Sequence, residues 1–210
     1  ADNGIGVAAE LALLASNDIE HGPIECLFTV DEETGLTGAK ALQAGFMTGN
    51  ILLNLDSEDE GQIFMGCAGG KDTQGTFHYT PVPTDPERFY IRIDVTGLNG
   101  GHSGGEIHKG LGNANKILVR YLYLLQQQCP VQLCSIDGGN LRNAIAREAH
   151  AVIGIPTAQK EPARVLLNQY AAAVEFELKH VDPKVHLSMQ SVDRPEVAVD
   201  DDTARRLILA

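Results

Sequence analysis

An α/β fold in two parts is what this sequence predicts, and three observations predict it. Two short apolar runs, IECLFTV (24–30) and NILLNLD (50–56), lead into or end on carboxylates and are separated by a helical segment. That is the grammar of a βαβ unit with its site at the carboxyl edge of the strands. From about residue 70 the order becomes β-α-β-β-α-β, the split βαβ signature of a ferredoxin-like sandwich. The hydrophobic fraction, 43% of 210 residues, is ordinary for a chain that buries a core.

Taken in order, residues 4–16, GIGVAAELALLAS, carry small and apolar residues at helical spacing and predict a buried helix. His21-Gly22-Pro23 is a turn, and the strand IECLFTV then feeds the acidic trio Asp31, Glu32 and Glu33. LTGAKALQA (36–44) is a short helix, and NILLNLD is the second strand, ending on Asp56. Beyond GCAGGKD (66–72) a strand pair is expected around GTFHYTPV (75–82) and RFYIRIDVTG (88–97). A glycine-rich loop, LNGGHSGGEIHKG (98–110), precedes a helix over 113–128. Strands follow at VQLCSIDGG (131–139) and NAIAREAHAVIGIP (143–156), then a helix from about Glu161 to Lys179 and a strand KVHLSMQSV (184–192). The boundary falls at about residue 70, giving segments 1–69 and 70–210.

The formal net charge of -12 argues against nucleic acid or an anionic membrane as partner, since phosphate binding needs a basic surface. With no Trp and 5% aromatic residues, a base-stacking platform is not expected either. No run reaches the ~18 apolar residues of a membrane span. Cys26, Cys67, Cys129 and Cys134 lack CxxC spacing, which favours reduced thiols and a cytoplasmic location. ADNGIG at the start and DDTARRLILA at the end both suggest a piece of a longer protein.

Carboxylates recur through the first segment: Asp2, the trio Asp31-Glu32-Glu33, Asp56, and the run Glu58, Asp59, Glu60. Oxygen ligands suit hard or borderline divalent ions, and a pair of such ions needs a nearby carboxylate that stays unbound to take a proton from water. A turn at Thr34-Gly35 would let Glu32 and Glu33 serve these two different ends. DEET also reads as a helix N-cap with acids favoured by the helix dipole, and the local residues do not separate the two readings. Asp31, Glu58, Asp59 and Glu60 read best as a solvated acidic rim.

The ordered set ADNGIG, DEETGLTGA, LLNLDSEDEG and GLNGGHSGGEI resembles the co-catalytic zinc peptidase family of aminoacylases, carnosinases and bacterial dipeptidases, through nearly the whole chain. The resemblance implies part of a zinc-peptidase-type α/β catalytic domain in 1–69, followed by a lid or dimerisation domain in 70–210, itself cut short. It implies two divalent metal ions, zinc with cobalt or manganese as alternatives. Asp2 would bridge them, Glu33 would bind one and Asp56 the other, and Glu32 would be the general base. The activity implied is hydrolysis of unblocked dipeptides, Xaa-His such as carnosine among them.

His102 sits between glycine pairs, where it is not a core residue, and the resemblance implies that it reaches the substrate and stabilises the oxyanion, often across a homodimer interface. A phosphate-cradle reading of the same loop fails for want of GxxxxGK[ST]. GGNLRNAIA (138–146) resembles the family's lid segment and implies Asn143 as a substrate contact, although the usual proline is Ala146 here. Arg142 and Arg147 could each pair with a peptide carboxylate or simply decorate a strand surface. The other six histidines lack motif support. Two histidine ligands of the family are missing from this sequence, so the 210 residues alone are expected to bind metal weakly and hydrolyse little. The competing readings are an aminoacylase or deacylase of the same family and a non-catalytic dimerisation or binding module.

Overall fold

The structure is a computed structural model that describes every residue except 1, 2, 58, 59, 67, 68, 70 and 72. The chain divides into two compact units, Ala1–Asp72 and Thr73–Ala210.

Unit 1 holds helix α1 (Gly4–Ala15), capped by the Asn3 side chain, which accepts from the Gly6 N–H at 2.8 Å. A single short helix, α2 (Thr37–Lys40), follows the acidic trio. Three sequence expectations fail in this unit. Residues 24–30 and 50–56 form no ladder, and the helix expected over 36–44 is confined to four residues. A strand's backbone groups must be paired or solvated, and these runs are solvated: Ile51, Leu52 and Leu53 are 85%, 75% and 78% exposed. The expected burial of α1 fails in the same way, since among its residues only Gly6 is buried.

Unit 2 is built on a four-stranded sheet of β2 (Arg88–Thr96), β4 (Gln132–Gly138), β6 (Ala149–Pro156) and β7 (His186–Ser191). Its order is β4-β6-β2-β7 with every neighbour antiparallel. Between β2 and β4 runs α3 (Ala114–Gln126), and between β6 and β7 runs α4 (Lys160–Leu178). This is the split βαβ sandwich that the sequence predicts. Ile91, Ile93 and Val95 alternate along β2 and are buried, opposite Ile153, Ala151 and Ala149 of β6. Helix α3 buries Ala114, Ile117, Leu118, Tyr121, Leu122 and Leu125, the spacing of one apolar stripe. The helices are tied reciprocally: Tyr121 Oη donates to the Ala163 carbonyl and Tyr170 Oη to the Ile117 carbonyl, each at 2.9 Å.

Three further pieces complete the unit. β1 (Pro81–Pro83) pairs with β8 (Val197–Val199), not with β2 as the sequence suggested, because the prolines at both ends of β1 remove ladder donors and confine it to a short edge. The expected strand 143–156 is broken in two, β5 (Ala144–Ile145) and β6, with exposed Arg147 and Glu148 between them. β5 pairs instead with β3 (Gly101–His102).

Helix α5 (Asp201–Leu209) is capped by Asp200, whose carboxylate accepts the Thr203 N–H at 2.9 Å and the Thr80 N–H at 3.0 Å. The Thr203 bond first, then that of Thr80, holds this carboxyl below its ordinary value of 3.8. A depressed folded value contributes stability that is complete above the unfolded value and lost as pH falls through the folded one. Thermal melts of the chain from pH 7 down to pH 3 are therefore expected to show stability falling below 3.8. The fall should be shallower in Asp200→Asn, and an unchanged slope in that variant would refute the cap's role.

Candidate active site

The acidic trio lies on a tight turn at the surface of unit 1. The Gly35 and Leu36 N–H groups both donate to the Glu32 carbonyl, at 3.1 and 3.0 Å, and Gly38 N–H closes onto the Val30 carbonyl at 3.1 Å. Asp31 takes φ +59°, a left-handed conformation that Asp tolerates better than most residues, and its carboxylate accepts from Thr37 Oγ1 at 3.1 Å. Asp31, Glu32, Glu33 and Asp56 are all exposed.

Asp2 lies outside the described residues, as do Glu58 and Asp59. Its chain neighbour Asn3 donates from Nδ2 to the carbonyl of Leu55, the neighbour of Asp56, at 2.7 Å. Among the described residues no group of three or more His, Cys, Asp or Glu is placed to hold a metal ion. The chemistry of the expected donor set, three carboxylates, suits hard or borderline divalent ions. Among the described residues, neither Glu33 nor Asp56 is engaged in an ion pair.

In unit 2 the glycine-rich loop meets the segment 138–146. Gly101 and His102 pair with Ile145 and Ala144, and the Ser103 N–H donates to the Asn143 carbonyl at 2.8 Å. His102 and Asn143 thus stand side by side on one cleft of about 840 Å³, within the usual size of a small-molecule site. Its wall also includes Asp137, Arg147 and Glu148, whereas Arg142, on the intervening turn, is outside it.

The imidazole is oriented from within its own loop. His102 Nδ1 accepts the N–H groups of Gly104 and Gly105 at 3.1 and 3.0 Å. An atom that accepts two N–H donors carries no proton, so the neutral ring has its proton on Nε2 and presents that nitrogen as a donor. A Cβ at Gly104 would stand 3.2 Å from the imidazole Cε1, so glycine lets the backbone come this close.

Glu106, which the sequence reading passed over, accepts the His102 N–H at 2.8 Å and Lys109 Nζ at 2.6 Å. Lys109 first, and then the His102 N–H, hold its carboxyl below the usual range. The signal was present: an acid four residues after a loop histidine can reach back to its N–H, much as a capping box does.

Residues 93–182 match the peptidase dimerisation domain of the M20 type. The whole chain aligns over 215 residues at 44% identity with the cytosol non-specific dipeptidase of Escherichia coli, of which it spans 44%. Over 183 residues it is 27% identical to an uncharacterised protein of Bacillus subtilis, YqjE, again spanning 44% of it. The crystal structure of aminoacylhistidine dipeptidase from Vibrio alginolyticus superposes on 99% of the chain with a TM-score of 0.79 at 40% identity, the chain covering 42% of that protein. The chain therefore spans less than half the length of the relatives it matches. The chain thus carries a peptidase dimerisation domain of the M20 type and is similar to a dipeptidase along its whole length, in sequence and in fold.

Proposed function

We propose that the full-length protein is a cytoplasmic, metal-dependent dipeptidase that hydrolyses unblocked dipeptides, Xaa-His among them. The observation that carries this is the 44% identity, over the entire chain, to a cytosol non-specific dipeptidase. On this reading residues 1–69 belong to the catalytic domain and 70–210 to the lid. The dimerisation domain at 93–182 supports a homodimer formed through that lid.

Asp2, Glu33 and Asp56 would hold two divalent ions, zinc by preference. When bound, such ions polarise the scissile carbonyl and make a water acidic enough to attack near neutral pH. Glu32 takes the proton of the attacking water and returns it to the leaving amine. The Asn3–Leu55 bond supports convergence of the segments that bear Asp2 and Asp56. His102 donates from Nε2 to the oxygen on which negative charge develops, Asn143 contacts the substrate beside it, and Arg147 or Arg142 meets its carboxylate. No helix among the described residues is long and apolar enough to cross a membrane.

The test is an assay of the full-length protein on carnosine, Gly-Gly and an N-acetyl amino acid, with and without chelator. Hydrolysis of both dipeptides, lost on chelation and absent for the blocked substrate, is expected. Preference for the N-acetyl compound would select the aminoacylase reading, and activity indifferent to chelator would end the metal reading. The 210 residues alone should show little hydrolysis, and two tightly bound ions in a metal titration of them would contradict the missing-ligand argument.

A further inference from the structure

We propose that Asp182 is the positioning residue for His102, because its buried carboxylate clamps both ends of the loop that carries the imidazole. Asp182 follows α4 and is 0% exposed. Its Oδ1 accepts the Asn99 N–H and its Oδ2 the Gly112 N–H, each at 2.6 Å. The two donors are the first and last residues of the segment 99–112, so one side chain closes the loop.

The clamp is itself held fast. The Asp182 N–H donates to the Leu178 carbonyl at 2.8 Å, its own carbonyl accepts from Val185, and the Asn99 side chain donates to the Val181 carbonyl at 2.7 Å. A Cβ at Gly112 would lie 3.2 Å from Asp182 Oδ2 and under 3 Å from the methyl ends of Leu98 and Leu178, so glycine lets the backbone pack this closely against the carboxylate.

A carboxylate removed from water is strongly unfavourable unless its oxygens are satisfied, and an apolar side chain would fill the same volume without that penalty. What the carboxylate adds is two acceptors aimed at two points of one loop. An amide could satisfy only one of them, since its NH2 would face an N–H donor. From Asn99 the chain needs two residues to reach His102, and from Gly112 it enters α3, where Ala114 N–H donates to the Ala146 carbonyl at 2.8 Å, beyond Asn143. The clamp thereby sets the frame on which both the His102 wall and the Asn143 wall of the cleft are hung.

This inference rests on the proposed role of His102, and the experiment separates the two. In the full-length enzyme, kcat and KM for carnosine are measured for Asp182→Asn, His102→Ala and the double variant, with amide exchange at Asn99 and Gly112. Asp182→Asn is expected to lower kcat about tenfold with KM nearly unchanged, and to add less than about twofold in the His102→Ala background, as coupled residues do. Exchange should rise about tenfold at one of the two amides, the one left facing the new NH2.

A mere loss of folded molecules would lower kcat by the same factor in both backgrounds, and that result would overturn the proposal, as would an unchanged kcat. If His102→Ala alone leaves kcat intact, the role of His102 fails, and unchanged exchange would then refute the clamp independently. Should Asp182→Asn not fold, Asn99→Pro, which removes the N–H that Asp182 Oδ1 accepts and does so at an exposed residue, must show the same dependence on His102.

Discussion

Glu32→Gln in the full-length protein is expected to lower kcat for dipeptide hydrolysis by about 10²- to 10⁴-fold, the range that a positioned general base supplies. The substitution keeps the size of the side chain and removes its capacity to take a proton. It leaves the turn intact, because what holds the turn at this residue is the backbone carbonyl, to which Gly35 and Leu36 donate. KM should move little if the carboxylate acts on water and not on the substrate. Glu33→Gln next to it has a different signature: a weaker hold on metal, with activity partly restored by excess metal. Kinetics of both variants across a metal titration distinguish proton acceptor from ligand. Activity of Glu32→Gln within about tenfold of the parent would remove Glu32 as the base.

How far such roles can be read from letters differs between the two units. The sandwich of unit 2 was legible because its pattern and its partners lie in the same chain. Ile91, Ile93 and Val95 alternate, α3 repeats its apolar stripe, and each finds its counterpart within residues 73–210. The pairing of β1 was not legible, since a three-residue strand bounded by prolines carries no periodicity, and its partner β8 lies more than a hundred residues away. Nor was the break at Ala146-Arg147-Glu148: an alternating run gives no warning that three of its residues will leave the ladder and wall a cleft.

Unit 1 shows the opposite limit. IECLFTV and NILLNLD have strand composition but no ladder, and most of their apolar residues are exposed. Strand propensity describes fitness for a half-buried pleated surface, and it cannot build that surface without neighbours. The chain spans 44% of its dipeptidase relative, and on the proposed reading the missing neighbours lie in the remainder. The candidate site divides along the same line. His102 and Asn143 are brought together by a two-residue ladder and one backbone hydrogen bond. The carboxylate cluster depends on Asp2, which lies outside the described residues.

His102→Ala in the full-length protein is expected to lower kcat by about 10²- to 10³-fold, the usual cost of removing one donor to a developing oxyanion. The loss should fall on kcat, with KM little changed, if the bond strengthens only as charge develops. Stability should hold, since the side chain is exposed and no core residue depends on it. The geometry of the loop sharpens this prediction, because it leaves one ring nitrogen free to donate. With Nδ1 accepting from Gly104 and Gly105, the neutral ring can only donate from Nε2, so His102 is unsuited to act as a base or to bind metal through that atom. Nitrogen NMR of the imidazole should find Nδ1 unprotonated and Nε2 protonated in the neutral ring. Gly104→Ala, which sets a methyl 3.2 Å from the ring, should tilt the donor and cost part of what His102→Ala costs. A ring protonated on Nδ1, or a His102→Ala enzyme with its kcat intact, would remove the imidazole from the transition state and leave the cleft as a binding surface only.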